Sequence, residues 1–298
     1  QKGVKFKFLP GAELYVHPDL EQWRADKQKA EDAKLSAKEA KKLAKIHAEN
    51  IATQIERVTD GDDETIEMTN SMTIENEEET KSGKTFNPIN RRHHMVVLPK
   101  TSAALMKVFR LVSKGYVEGF YRFPRIDRKM LAEACGDQKD IIVTSACLGG
   151  SCSYAVFQEL QKIPFDQLHA SLLDDESMMN KCVQAVANTF DYWSSATGPE
   201  NFYLELQFNK LPAQDLVNRA ILEFAKRNSL TKQLIVTCDS HYSRPELWKH
   251  REMYKKLAYL NYSDLGPDSL PKSEEELKCL LYPKNALQVW EEFEKAKN

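Results

Sequence analysis

Short apolar runs alternate with longer amphipathic stretches along most of the chain. Val4–Val16 (VKFKFLPGAELYV) has strand character broken at Pro10–Gly11, and the alternation from Ala12 predicts a strand over Glu13–Val16. From Leu20 to Val58 the pattern changes. Leu35, Leu43, Ile46, Ile51 and Ile55 form a sparse apolar stripe among Ala, Lys, Glu and Gln, which predicts one long helix or a helical hairpin, solvated on most sides. Residues 60–80 hold nine Asp/Glu and no Lys or Arg, a self-repelling run expected to be a mobile loop.

Ordered patterning resumes with an apolar strand at His94–Leu98 and a helix over Ser102–Gly115, where Leu105, Val108, Phe109 and Val112 keep helical spacing. An aromatic and basic stretch, Tyr116–Ile126, leads to a short helix near Arg128–Cys135 and a strand at Ile141–Thr144. A helix beginning near Cys152, a helix over Asp175–Thr189, a strand at Phe202–Gln207, a helix over Gln214–Asn228 and a strand at Gln233–Thr237 complete the series. Beyond Tyr242 the pattern is largely helical. Strands alternating with helices imply βα units and a mainly parallel sheet or barrel.

Composition changes this picture little. The 298 residues are 42% hydrophobic and 29% charged with a formal net charge of −2, so a nucleic-acid partner would need a local basic patch rather than a global field. The six cysteines lack paired spacing, which favours reduced thiols in a cytoplasmic setting over a disulfide framework or zinc ribbon. No run approaches the ~18 apolar residues of a membrane span.

The candidate chemistry sits at strand ends. In Leu234–Tyr242 (LIVTCDSHY) a continuous apolar run reads as a strand buried on both faces, after which Asp239 and His241, two residues apart, are expected to project on the same side. Carboxyl ends of parallel strands are where ligands bind, and an imidazole with a carboxylate suits Zn²⁺, Mn²⁺ or Fe²⁺. A capping Asp followed by an unrelated loop His is the plainer alternative. Ile141–Gly150 (IIVTSACLGG) has the same design, with Cys147 as a ligand, a nucleophile or simply a buried thiol. Its paired glycines could let backbone approach a phosphate, although the Gly-Lys-Ser/Thr ending of a P-loop is missing. Glu13 and Glu205 are acids within apolar strands, and either could be a ligand or face solvent. One of His93 and His94 could ligate metal; His17, His47, His169 and His250 read as surface residues. Tyr121, Arg122, Arg125 and Arg128, with Phe123, could contact a nucleic-acid backbone or stack on bases, or could pack a loop against the core.

In order, GAELYV, HHMVVLPKT, GYVEGFYRFPRID, IIVTSACLGG, NFYLELQ and LIVTCDSHYSRPE resemble successive segments of the PHP (polymerase and histidinol phosphatase) domain. They resemble the version found at the start of bacterial and phage-type DNA polymerase III alpha subunits. The likeness covers roughly residues 1–18 and 90–250. It implies an α/β fold, a distorted seven-stranded β/α barrel binding up to about three divalent ions. On that resemblance Glu13, His94, Cys147, Asp239 and His241 fall on metal-ligand positions, and His93 becomes a neighbour. The family's opening His-x-His segment would precede residue 1, and the palm domain would follow. Phe208–Asn209 stand where the polymerase branch usually has a histidine.

The expected organisation is barrel at 1–18, a charged helical and acidic insertion at 19–89, barrel at 90–250, and a helical extension toward a polymerase core at 251–298. The insertion matches nothing typical of the family and would suit a phage protein. The implied function is part of a replicative DNA polymerase with a metal-dependent 3′–5′ exonuclease site. Its partners would be primer–template DNA and other replisome subunits, with no membrane. The alternatives are a non-catalytic PHP scaffold and a stand-alone phosphoesterase.

Overall fold

A computed structural model describes residues 9–52, 91–160, 163, 167–259, 271–277 and 279–296. The expected strand character before Leu9, the end of the long helix after Ala52 and the acidic 60–80 loop lie outside these residues. Six strands make one sheet: β1 Ala12–Val16, β2 His93–Pro99, β3 Arg125–Ile126, β4 Ile141–Thr144, β5 Phe202–Leu206 and β6 Leu234–Val236. Their order is β3-β1-β2-β4-β5-β6. The β1/β3, β4/β5 and β5/β6 pairs are parallel, while β2 runs against both its neighbours, β1 and β4. Among the described residues β3 and β6 do not pair, so the sheet is an unclosed β/α barrel.

The two faces of the sheet differ, as the period of two requires. Val16, Met95, Val97, Ile141, Val143, Phe202 and Leu204 point to one face and are essentially inaccessible. Helices cover that face: α2 Ser102–Glu118, α4 Ser151–Glu159, α5 Glu176–Thr197 and α6 Pro212–Arg227, with α3 Arg128–Cys135 packed between α2 and α5. Helix α2 shows why. Its buried Ala104, Val108, Leu111 and Gly115 recur at helical spacing, and Thr101 caps its start by accepting from the Ala104 amide. Asp127 does the same for α3 through the Met130 amide and also accepts from Leu20 N, tying the start of helix α1 (Leu20–Ala52) to the sheet. The opposite face carries Glu13, Tyr15, His94, Thr144 and Glu205, placed there by the pairings Tyr15–His94, Val96–Thr144 and Thr144–Tyr203.

The charged segment begins as a single helix, α1 Leu20–Ala52, with no turn inside it. Among the side chains described, those of its first turn enter the core, through Leu20 and Trp23; Leu35 is 59% exposed. Helices α7 Trp248–Tyr259 and α8 Ala286–Ala296 confirm the helical character after Tyr242.

Three expectations need correction. Strand β6 is not buried on both faces: it ends the described sheet, and Val236 is 45% exposed. Asp239 and His241 lie beyond its last residue, and Asp239 has a left-handed backbone (φ 44°), so alternation along a strand does not place them. His17 is buried, not a surface residue, because β3 supplies a backbone acceptor for its amide and α1 begins directly over it.

Candidate metal centre

Glu13 and His94 lie on adjacent antiparallel strands, facing the same way, and Cys147 follows the end of β4. Because β2 runs against β4, its beginning meets the carboxyl end of β4, which brings His94 to the Ser145–Gly150 loop. His94 N donates to Gly149 O at 2.9 Å. A Cβ on Gly149 would sit 3.1–3.2 Å from the His94 ring, and one on Gly150 would fall 1.9 Å from Ser145 O. The paired glycines therefore serve close packing on a histidine and on the loop's own backbone. Ala146, just before Cys147, takes φ 57°, and Ser153 Oγ donates to Cys147 O at 3.2 Å, fixing the turn that aims the thiol.

His94 Nδ1 lies 2.6 Å from Glu13 Oε1 and 3.7 Å from Cys147 Sγ. One ligand atom from each of the three residues lies within 4.8 Å of the other two. A nucleophile–base–acid relay would place sulfur and carboxylate on opposite ring nitrogens. Here both approach Nδ1, the arrangement of donors converging on one point. Carboxylate, imidazole and thiolate together are a donor set for a borderline ion such as Zn²⁺, so the residues present fit the metal that the fold implies. The Gly149 amide also donates to Cys147 Sγ at 3.4 Å, which helps to fix the position of the sulfur.

The electrostatics show the same convergence. Burial opposes a charge on His94, but hydrogen bonds with Cys147 and Glu13, with their negative charges, raise its pKa to about 10. The hydrogen bond from His94 holds the Glu13 carboxyl below its usual range against the opposing effect of burial, and the charges of His94 and His241 add to the lowering. Burial raises the Asp239 pKa and the Glu13 charge adds to this, while His241, His94 and Arg251 offset part of it. Asp239 and His241 thus feel the Glu13–His94 pair, although they stand outside its tight cluster.

The Asp239–Tyr242 loop is held differently. His241 Nδ1 is 2.6 Å from the Asp239 carbonyl, which fixes the proton on Nδ1 and leaves Nε2 free to ligate. Leu281 O accepts from the amides of His241 and Tyr242 at 2.8 and 3.2 Å, and the Leu281 amide donates to Tyr242 Oη at 3.1 Å.

His93 is buried on the opposite side of β2, where Arg91 Nε donates to its Nε2 at 3.0 Å, so it is a neighbour of the cluster and not part of it. Its pKa falls to about 3, chiefly by burial and then by the charge of Arg91. Glu205 is buried, and its carboxylate accepts from the hydroxyls of Thr144 and Thr237. Those threonines end the similar runs IIVT and LIVT, a signal visible in the chain but intelligible only once β5 lies between them.

The aromatic and basic stretch divides. Arg125 is 2% exposed, its guanidinium 4.0 Å from the Trp23 ring, with Nε donating to Gly119 O at 3.2 Å. Burial, followed by the charges of Arg24 and Arg92, pulls its pKa down to about 10. It is a packing residue in this conformation, enclosed beneath α1. Arg122 and Arg128 are exposed, Tyr121 is half-buried, and Arg128 lies over the Tyr192 ring at 5.0 Å.

An unclosed α/β sheet with a carboxylate–imidazole–thiolate corner at its strand ends is the architecture of an incomplete β/α barrel carrying a candidate metal site. The chain belongs to the PHP domain family, whose family model matches residues 1–209. It is similar to the DNA polymerase III subunit alpha of Thermus aquaticus, 31% identical over 153 residues, covering 51% of this chain and 10% of that protein. The subunit of the same name from Aquifex aeolicus (strain VF5) is 32% identical over 154 residues, covering 52% and 11%. That from Helicobacter pylori (strain J99 / ATCC 700824) is 27% identical over 180 residues, covering 60% and 13%. The chain spans about a tenth of the length of these curated relatives. Among the described residues no helix is long and apolar enough to cross a membrane.

Proposed function

We propose that the chain is the PHP portion of a replicative DNA polymerase III alpha subunit and carries a metal-dependent phosphoesterase site acting on DNA 3′ ends. The observation that carries this reading is the convergence of Glu13, His94 and Cys147 on one point. Glu13, His94 and Cys147 would hold one ion, and Asp239 and His241 would complete a multinuclear set; Zn²⁺, Mn²⁺ and Fe²⁺ all suit these donors. Bound divalent metal would supply an activated water and neutralise phosphate charge. This chain's own contribution is to orient the donors: β1 and β2 fix Glu13 and His94, and the Gly149–Gly150 turn fixes the thiol. Arg122, Arg128 and the rim of Tyr121 are the positions best placed to meet a DNA backbone, with Arg125 supporting them from below.

In this reading residues 1–18 and 90–250 form the barrel, 19–89 an insertion, and 251–298 an extension toward the polymerase core. Primer–template DNA and other replisome subunits are the partners, in the cytoplasm. A non-catalytic scaffold is the second reading, favoured by Phe208–Asn209 standing where the branch usually has a histidine.

The test is removal of 3′-terminal nucleotides from DNA in the presence of Mn²⁺, by this chain and by a full-length polymerase that contains it. Asp239→Ala is expected to lower the rate at least ~100-fold, as loss of a ligand to a catalytic ion does. Unchanged cleavage in that variant overturns the assignment, and bound metal without cleavage favours the scaffold.

A further inference from the structure

Glu205 is the buried carboxylate that the metal cluster does not use. It is 6% exposed, and it lies at the carboxyl end of β5, between the two strands that lead into the ligand loops. One oxygen accepts from Thr144 Oγ1 and the other from Thr237 Oγ1, the latter at 2.5 Å. Thr144 is the last residue of β4, three before Cys147. Thr237 follows β6, two before Asp239 and four before His241.

The surrounding bonds give this arrangement a single sense. Gln207 Nε2 donates to Thr237 Oγ1 at 3.2 Å, which leaves that hydroxyl's proton available for Glu205. Ser145 Oγ accepts from the Glu205 amide at 2.9 Å, and Ser145 N donates to Tyr203 O at 2.9 Å, fastening the first residue of the Cys147 loop to β5 twice. Thr237 N donates to Leu206 O at 3.2 Å, fastening the other loop at its root. An ionised carboxylate only accepts, and each of its oxygens here meets one donor. Strand pairing alone would align β4, β5 and β6. The carboxylate adds a fixed spacing between the side chains at the roots of both loops.

We propose that Glu205 is a positioning residue, a strut whose two hydroxyl contacts set the separation between the Cys147 loop and the Asp239–His241 loop so that their donors reach one metal cluster. The inference rests on the metal-site reading above. It assigns Glu205 no direct contact with metal, substrate or reacting atoms. Glu205→Gln places an amide donor against one of the two hydroxyls, which must then turn its proton elsewhere and accept instead of donate. Thr237→Val removes one contact at almost constant volume, and Thr237→Ser keeps it.

The test is Co²⁺ affinity by chelator competition, together with the visible spectrum of bound Co²⁺, for wild type and these three variants. Glu205→Gln and Thr237→Val are expected to bind about 10–100-fold more weakly, with altered visible bands, as for other residues that orient metal ligands. Thr237→Ser is expected to keep the wild-type spectrum and affinity. If Glu205→Gln does not fold, the Thr237 pair decides alone. Wild-type affinity and spectrum in Thr237→Val overturn the strut, as does a Thr237→Ser as impaired as Thr237→Val. Wild-type protein that binds no Co²⁺ overturns the metal-site reading itself, and the strut with it.

Discussion

The two halves of the candidate ligand set are built on different principles. Glu13 and His94 are strand residues, paired across an antiparallel ladder, and Cys147 sits in a turn that packs directly on the His94 ring. Asp239 and His241 stand past the end of a three-residue strand, where a left-handed Asp239 and a distant backbone carbonyl, Leu281 O, set their positions. Regular hydrogen bonding determines the first group locally. The second depends on contacts made more than thirty residues later in the chain. A site can thus combine a preformed corner with a loop that must be held in place.

The sharpest way to break this comparison is to remove one member of each half. His94→Ala deletes the atom that both Glu13 and Cys147 approach, and is expected to reduce the affinity of the corner for Zn²⁺ by more than ~100-fold. Asp239→Ala is expected to weaken the binding of that ion by no more than roughly 10–100-fold, the range seen when a supporting group is lost. Metal analysis during chelator titration separates the two. Equal loss in both variants would make the five residues one indivisible cluster.

Acid probes what lies behind the corner. His17 and His93 are buried near the meeting of β1 and β2, with pKa values lowered to about 4 and about 3, first by burial and then by nearby arginines. Both rings stay neutral in the fold, whereas in the unfolded chain they protonate below about 6.5. Stability on their account is therefore whole above pH 6.5 and falls as the pH drops from 6.5 toward 4. For His17 the loss is at most about 3 kcal/mol, from 1.4 kcal/mol per pH unit. Urea unfolding at pH 7 and pH 4.5 is expected to show a smaller pH difference in His17→Gln than in wild type. An identical pH difference would mean that His17 protonates within the fold.

The smallest expected effect concerns the loop. Tyr242→Phe removes the acceptor for the Leu281 amide, a loss of about 1 kcal/mol. Amide exchange is expected to quicken at His241 and Tyr242 while His94 and Met95 stay protected. Equal protection throughout would show that the loop does not need this clip.

Much of the framework was legible from the chain because alternation and helical spacing are local signals. Ile141–Thr144 and Arg128–Cys135 have the bounds expected, and α2 begins at Ser102 as expected but runs three residues further. The resemblance nominated Glu13 and His94 together, and their contact follows from β1 lying antiparallel to β2 in that register. Other features depended on distant partners and carried no local mark. An apolar run such as LIVT reads the same in a central strand as at a sheet edge, so β6 was misplaced. His17 gave no sign of burial because the elements covering it come from residues 20 and 126. Glu205 and Glu13 looked alike in sequence, yet one meets an imidazole and the other two hydroxyls. Arg125 lay within a basic run, and the ring that encloses it most closely is that of Trp23, a hundred residues earlier.

The Leu281 contact also separates where the ligands end from where their support ends. A chain cut after His250 would retain Glu13, His94, Cys147, Asp239 and His241, every member of the proposed donor set. It would lose the carbonyl that receives the His241 and Tyr242 amides. Whatever pulls on the segment around Leu281, by a neighbouring domain or a bound partner, acts in mechanical series with two of the five donors. Residues that never approach the metal would then govern how many ions the cluster keeps.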